Sequence, residues 1–504
     1  MTFTTSWRAR IFEEAELLPT DLISDLSIGE VSVLYEYTHA IADADARKTN
    51  GQFFTPDDVA SFMAGFADRF PRGRWLDPCA GIGNLSWHLI ASQEDPEEFL
   101  LERMLLSDTD ELALLVARAL LTAAFQRRHL NLFHEIEENF VVFDFLSVSD
   151  SGTSKIGALA AIPSHDFVIV NPPYLATKGR DSRFETAESS DLYAYFLENV
   201  IKTSRGFISV TPQSFTNAKK FMGLRSLLLR SYSNLEILCF DNIPGNLFRG
   251  VKFGSRNSNT ANSIRAAITV ALPQPGVPSI TSLMRWKGTE RQRLFAEVER
   301  FKSHVPLTAE FFPKVSTVFE DLYRWTVELP RLGSLCQRTE TEFPLHVPSA
   351  PRYFIPALKS PVARSSQRTL YFPNSAARDR AYLLINSSLM YWWWRVRDGG
   401  MTLSQETLLS MPLPDFAVRD DLVTRLELSE ETNKVYKLNA GVSQENVKHS
   451  PELIADLNAH IVPIHAAPLL LTHLNSEFAQ FEYLGRADDA ASSARSAIVA
   501  NGAS

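Results

Sequence analysis

His165-Asp-Phe-Val-Ile-Val-Asn171-Pro172-Pro173-Tyr174 is an apolar run that passes directly into Asn-Pro-Pro-aromatic. The run His165 to Val170 reads as a buried strand, and the carboxyl ends of strands are where open α/β sheets hold their ligands. Two consecutive prolines fix φ and remove two backbone N–H donors, so the segment becomes a stiff, acceptor-only hook. The Asn171 side-chain oxygen and the Pro172 carbonyl can both face one amino group. Such a hook suits an exocyclic NH2. A nitrogen conjugated with a ring is a poor nucleophile until its lone pair localises, and two acceptors on its two hydrogens favour that change. Tyr174 offers a flat face on which the ring could stack. Taken alone, the tetrapeptide reads equally well as a turn after a strand.

It does not stand alone. Upstream lies Arg74-Trp-Leu-Asp-Pro-Cys-Ala-Gly-Ile-Gly-Asn-Leu85, an apolar entry followed by Asp-Pro-x-x-Gly-x-Gly and the helix-like Leu85 to Ile90. Its glycines permit a tight strand-to-helix turn and close approach of a ligand to the backbone. The third glycine of the dinucleotide fingerprint is absent. A carboxylate at this turn, Asp77, would repel a pyrophosphate but attract the cationic amino-acid end of S-adenosylmethionine. The run Leu101 to Ser107 ends in Asp108-Thr-Asp110, where an acid after the second strand can hold a ribose diol. A third run, Phe140 to Leu146, contains Asp144-Phe145, suited to an adenine amino group and its ring face. Each acid can equally be a helix N-cap, the favoured reading for Asp110, while Asp108 and Asp144 stay open.

Together these residues make the chain resemble the amino-group DNA methyltransferases of the permuted, gamma-type order. That group includes adenine-N6 methylases and modification subunits of restriction-modification systems. The piece Gly51-Gln-Phe-Phe-Thr-Pro-Asp-Asp-Val-Ala60, 26 residues before Asp77, is similar to the group's N-terminal signature. It is also an ordinary helix start, with Thr55 as N-cap and Pro56 at the first position, and both readings can hold. The resemblance spans roughly residues 50 to 275. It implies a doubly wound, Rossmann-like α/β methyltransferase domain dependent on S-adenosylmethionine, followed by a mixed α/β recognition domain and a helical tail. It further implies cofactor contacts at Phe53, Thr55, Asp77, Ala80, Gly81, Gly83, Asp108, Asp144 and Phe145. The target amino group then falls to Asn171, Pro172, Pro173 and Tyr174. A second aromatic stacking on the target base is expected at Phe248, with Phe253 the next choice. The segment Ser255 to Ser263 after them is expanded relative to the group.

The implied reaction is methylation of adenine N6 in double-stranded DNA, with the base flipped out of the helix and no metal. A restriction endonuclease or specificity subunit is the implied partner. Alternatives are methylation of a protein glutamine or an RNA base amino group, or a non-catalytic subunit that recognises DNA for a larger complex. No Asp-x-Lys or Glu-x-Lys tripeptide occurs, and only about 50 residues precede Gly51, so the expectation is an enzyme that modifies DNA without cutting it.

Composition agrees with a large enzyme. At 504 residues, two or three domains are expected. No apolar run approaches membrane-spanning length, and the start Met1-Thr-Phe-Thr-Thr-Ser lacks a signal-peptide pattern. Three scattered cysteines, Cys79, Cys239 and Cys336, suggest neither a disulfide framework nor a zinc site, which gives a cytoplasmic expectation without membrane attachment. The net charge of −9 is polarised: residues 1–200 carry 15 Lys and Arg against 32 Asp and Glu, and residues 401–504 carry 7 against 14. Residues 201–300 carry 15 against 5 and residues 301–400 carry 13 against 8, so the middle of the chain is +15. A local basic surface is what phosphate contacts need. The same charge would also make a solvated face.

The expected organisation is a helical segment over 1–50, the catalytic domain over 51–275 and a boundary at the Pro-rich Leu272 to Pro278. A connector over 276–330, a target-recognition domain over 331–416, helices over 417–485 and a flexible tail over 486–504 follow. Within the recognition region a strand pair precedes an apolar helix, Ala381 to Arg395. Its Trp392-Trp-Trp394 reads as core packing rather than a base-stacking platform.

Overall fold

The computed structural model describes residues 27–32, 55–147, 164–242, 245–248, 264–351, 354–364, 366–398, 402–439 and 442–475. Apart from a helical stretch at 28–32, the expected N-terminal helices lie outside them, as do Phe53, Phe253 and the tail. The chain divides into two compact units, one of residues 1–215, 219–237 and 246–277, the other of 216–218, 238–245 and 278–504.

The first unit is a mixed α/β layer structure on a mostly parallel sheet. Its strands are β1 (Trp75–Asp77), β2 (Met104–Asp108), β3 (Phe140–Val142), β4 (Phe167–Val170), β5 (Gly206–Pro212), the first residues of β6 (Asn234–Phe240) and β7 (Ala266–Leu272). They lie in the order β3-β2-β1-β4-β5-β7-β6. The pairs from β3 through β5 are parallel, and β7 runs antiparallel to β5. Strands β1, β2 and β4 are buried along their whole length, as a parallel sheet covered on both faces requires.

Helices α1 (Asp57–Ala64), α2 (Asn84–Ala91), α3 (Pro96–Glu102), α4 (Glu111–Phe125), α5 (Leu192–Thr203) and α6 (Met222–Ser231) supply the covering layers. Local chemistry sets their starts. Asp95 caps α3 through the Glu98 amide, with Pro96 in the first turn, and Asp110 caps α4 through the amides of Leu112 and Ala113. Under the β1–β4 pair, Phe70, Trp75 and Phe167 meet at ring separations of 4.9–5.3 Å. Each such aromatic contact adds about 0.5–1.5 kcal/mol beyond its buried area.

This topology decides where a ligand can sit. From β1 the chain winds outward through β2 and β3, then returns to β4 on the opposite side of β1. The strand order therefore reverses between β1 and β4, and a crevice opens beyond their carboxyl ends. Asp77 ends β1 and Asn171 follows β4 directly.

The second unit contains the antiparallel pairs β8 (Ser279–Thr281) with β9 (Lys302–Ser303), β10 (Pro344–Pro348) with β11 (Gln367–Tyr371), and β12 (Lys434–Asn439) with β13 (Val442–Val447). Its main helices are α7 (Glu320–Val327), α8 (Ser375–Asn386), α9 (Ser388–Arg397), α10 (Gln405–Leu409), α11 (Asp420–Thr432), α12 (Pro451–Ile461) and α13 (Ala467–Asn475). Two sequence expectations need correction. The single helix expected over Ala381–Arg395 is broken at Ser387, whose extended backbone and hydroxyl cap α9 through the Leu389 amide. The helical stretch expected after residue 417 is interrupted by the β12–β13 hairpin. Trp392, Trp393 and Trp394 are all buried core, in line with the packing expectation.

A polar network pins this unit together. Asn386 exchanges hydrogen bonds with both backbone groups of Ala357. Its Oδ1 also accepts from His449 Nε2, so His449 Nδ1 is left to accept from the Ser429 hydroxyl. Burial pushes the His449 imidazole down to about 4, consistent with a neutral ring in this role. Elsewhere in the unit Asp241, with its side chain almost wholly buried, pairs with Arg395 at 2.7 Å and Arg285 at 3.1 Å.

Candidate active site

At the end of β4 the Asn171 amide is held on both sides. Its Nδ2 donates to the Thr55 hydroxyl at 2.9 Å, and its Oδ1 accepts from the Tyr174 hydroxyl at 2.6 Å. Tyr174 also reaches the Val210 carbonyl of β5 at 2.9 Å, so one hydroxyl proton serves two acceptors. Burial holds the Tyr174 phenol well above its usual range, which keeps it a donor. The Cys79 thiol donates to the Asn171 carbonyl at 3.1 Å, tying the glycine-rich turn to the hook.

Thr55 stands at the start of α1, but it is not the cap expected from the sequence. Pro56 occupies the N-cap position, without a side-chain hydrogen bond, and α1 begins at Asp57. The Thr55 hydroxyl is engaged by Asn171, and its carbonyl accepts from Asn84 Nδ2 at 2.7 Å. Thr55 and Asn84 are both buried.

The turn from β1 to α2 bends through two left-handed glycines, Gly81 at φ +52° and Gly83 at φ +85°. They serve different ends. A Cβ at Gly81 would meet nothing within 4 Å, whereas one at Gly83 would touch Ala117, Leu106 and Leu121 at 3.4–3.6 Å. Gly81 therefore leaves space beside the backbone, and Gly83 lets α2 start close against β2 and α4.

Two carboxylates face this turn. Asp77 is buried, and its Oδ2 accepts from Ser86 at 3.0 Å while its buried Oδ1 has no hydrogen-bond partner. Burial, with a smaller push from the Asp108 charge, raises Asp77 to about 7 against the opposing influence of Ser86 and the Cys79 backbone. Asp108 accepts from the Gly81 amide at 2.8 Å and the Asp110 amide at 3.0 Å, and burial raises it despite those bonds. A buried acid pair with an orphaned oxygen beside an open glycine is an arrangement a cationic ligand would relieve. On that test Asp77 fits a cationic group such as the ammonium of S-adenosylmethionine, while both Asp108 oxygens are taken by backbone amides.

The remaining expected residues are placed less uniformly. Ala80 lies in the turn, its amide bonded to the Ser107 carbonyl at 3.0 Å. Asp144 is exposed and accepts from the Leu146 amide at 2.9 Å. Phe145 is buried against Phe196 at 5.6 Å and presents no open ring face. Phe248 is buried too, 6.1 Å from Tyr174 with the rings inclined by 64°. A base stacked between two rings needs them parallel and about 7 Å apart, so one ring must turn before Tyr174 and Phe248 can sandwich it. Three contributors were not singled out from the sequence: Asn84, Ser86 and the Val210 carbonyl. Asn84 and Ser86 open the helix after the glycine turn, a position that could have flagged them; nothing in the sequence marks Val210.

The family model described as Eco57I restriction-modification methylase matches residues 107–244. The type II methyltransferase M.HindII of Haemophilus influenzae is 21% identical over 328 residues, 58% of this chain and 54% of that protein, so the chain spans about half the length of the curated relative. Among solved structures, a DrdV–DNA complex aligns at 15% identity with TM-score 0.44, covering 61% of this chain and 36% of that one. The type I restriction-modification methyltransferase subunit of Streptococcus thermophilus aligns at 17% identity with TM-score 0.36, covering 58% and 63%. By sequence, the chain is similar to restriction-modification methylases, with the family match confined to residues 107–244.

Proposed function

We propose that this protein transfers a methyl group from S-adenosylmethionine to adenine N6 in double-stranded DNA, as the modifying component of a restriction-modification system. The observation that carries the reading is the Asn171 amide, fixed at the carboxyl end of β4 beside Pro172 and across the switch point from Asp77. The relationship to restriction-modification methylases supports it. S-adenosylmethionine, when bound, supplies an electrophilic methyl group. Asp77, Asp108 and the Gly81 backbone would hold it.

The chain's own residues then act on the target. Asn171 Oδ1 and the Pro172 carbonyl accept the two amino hydrogens, which draws the nitrogen lone pair out of conjugation with the ring. An amide oxygen has two lone pairs, so the Tyr174 contact does not by itself exhaust Oδ1. Pro172 and Pro173 hold the hook stiff, and positioning accounts for most of the rate. Flipping the base costs a few kcal/mol, offset by stacking on Tyr174 and Phe248 once their rings align. The amino proton passes to solvent. A specificity or nuclease subunit is the proposed partner.

The test is radiolabelled methyl transfer offered in parallel to unmethylated duplex DNA, protein and RNA, followed by digestion of the DNA to nucleosides. Label in N6-methyladenine is the expected result. Label confined to protein or RNA, or to another base, would replace the substrate assignment.

A further inference from the structure

The resemblance gives Thr55 to the cofactor, yet its hydroxyl meets the side chain of the hook. We infer that Thr55 is a positioning residue for the target amino group: it orients the Asn171 amide so that Oδ1, and not Nδ2, faces the base. This inference rests on the methyl-transfer reading above.

An asparagine amide has one accepting and one donating end of nearly equal size, and only the accepting end can localise the lone pair of an amino nitrogen. With Nδ2 toward the target, two donors would face each other. The orientation is therefore part of the chemistry and needs a fixed partner. The Tyr174 hydroxyl restrains only the Oδ1 end of the amide, and it shares its proton with the Val210 carbonyl. Thr55 adds the second restraint, 2.9 Å from Nδ2 on the far side of the amide.

Thr55 is itself held. It is buried at the mouth of α1, and its carbonyl takes the Asn84 side chain at 2.7 Å. The chain of contacts Asn84–Thr55–Asn171 thus runs from the first residue of the helix after the glycine turn to the hook, 116 residues from Thr55 in sequence. The same threonine can touch both halves of the reaction, and the base side is the half its side chain serves.

The test compares Thr55→Val and Thr55→Ser by steady-state methyl transfer and by calorimetric binding of S-adenosylmethionine. Valine keeps the shape and removes the hydroxyl; the expected result is a roughly tenfold or greater fall in kcat, the scale of one lost hydrogen bond. The KM and Kd for S-adenosylmethionine should stay within about threefold of wild type, and serine should restore most of kcat. A thermal melt identifies simple unfolding. The decisive measurement is the pair with Asn171→Asp, whose carboxylate presents an acceptor at either end and needs no orientation. Whatever the single Asn171→Asp variant retains, adding Thr55→Val should lower it by less than threefold.

An unchanged kcat in Thr55→Val, or a tenfold loss that persists in the Asn171→Asp background, overturns the inference. So does a loss appearing only as weakened cofactor binding, which returns Thr55 to the cofactor alone. A wild-type protein that transfers no methyl group to DNA defeats the parent reading instead.

Discussion

At the residue scale the proposed reaction asks opposite things of two side chains. Asn171 must accept, and its truncation should remove the acceptor while leaving the cofactor residues alone. Asn171→Ala is expected to lose at least about a hundredfold in methyl transfer, the scale of one transition-state hydrogen-bonding group, with S-adenosylmethionine affinity nearly unchanged by calorimetry. A near wild-type rate would dissolve the hook. Asp77 must be charged to hold a cation, yet burial raises it to about 7. Because its folded value lies above its unfolded one, ionisation opposes folding, so the cofactor-free protein should gain stability as pH falls from about 8 toward 5. Cofactor affinity should move the opposite way, weakening up to tenfold per pH unit below about 7 as binding has to expel a proton. Calorimetry across pH in buffers of different ionisation enthalpy measures both the slope and the released proton. Asp77→Asn should flatten both trends while melting higher at pH 8, and a pH-independent affinity in the wild type would return Asp77 to a structural role.

Among elements, those that carry chemistry were the most legible in the sequence. The β4 run and its Asn-Pro-Pro exit, the glycine turn and the Asp110 cap each combine a periodic apolar stretch with residues whose backbone demands are narrow. What failed did so for physical reasons. Thr55 and Pro56 both suit a helix start, and only the long-range partner Asn171 decides that Thr55 turns away from capping. Ser387 breaks an otherwise continuous apolar helix because a serine that can cap outweighs hydrophobic periodicity there. The β12–β13 hairpin was hidden by the acidic, helix-favouring residues on both sides of it. Phe145 and Phe248 are both buried, a result of tertiary packing that no local pattern encodes. The glycine turn yields an element-level prediction. Gly83→Ala should lower stability by about 1–2 kcal/mol, the cost of a left-handed alanine, and affect cofactor binding only secondarily. Gly81→Ala carries the same backbone strain but places its methyl in the open space beside Asp77 and Asp108, so it should also weaken S-adenosylmethionine binding. Chemical denaturation and calorimetry on the two variants separate these effects; equal cofactor affinities would mean that the ligand does not lie against Gly81.

For the whole molecule the governing quantity is the distribution of charge. A net −9 taken alone argues against a polyanion, but the +15 carried by residues 201–400 against acidic ends allows one. Not all of that charge can reach phosphate. Arg395 is buried on Asp241, while Arg293 and Arg300 share Glu297. What remains must act locally, and its signature is salt dependence: each neutralised phosphate releases condensed counterions, so log affinity falls linearly with log salt concentration. A footprint of six to ten phosphates loses roughly 10³–10⁵ in affinity between 50 and 200 mM salt. The protein should therefore bind unmethylated duplex DNA with a steep negative slope of that order, measured by fluorescence anisotropy with S-adenosylmethionine or its demethylated product present. A slope near zero would mean that the basic stretch is only a solvated face, and duplex DNA would then lose its standing as the substrate even if methyl transfer to some other amino group were found.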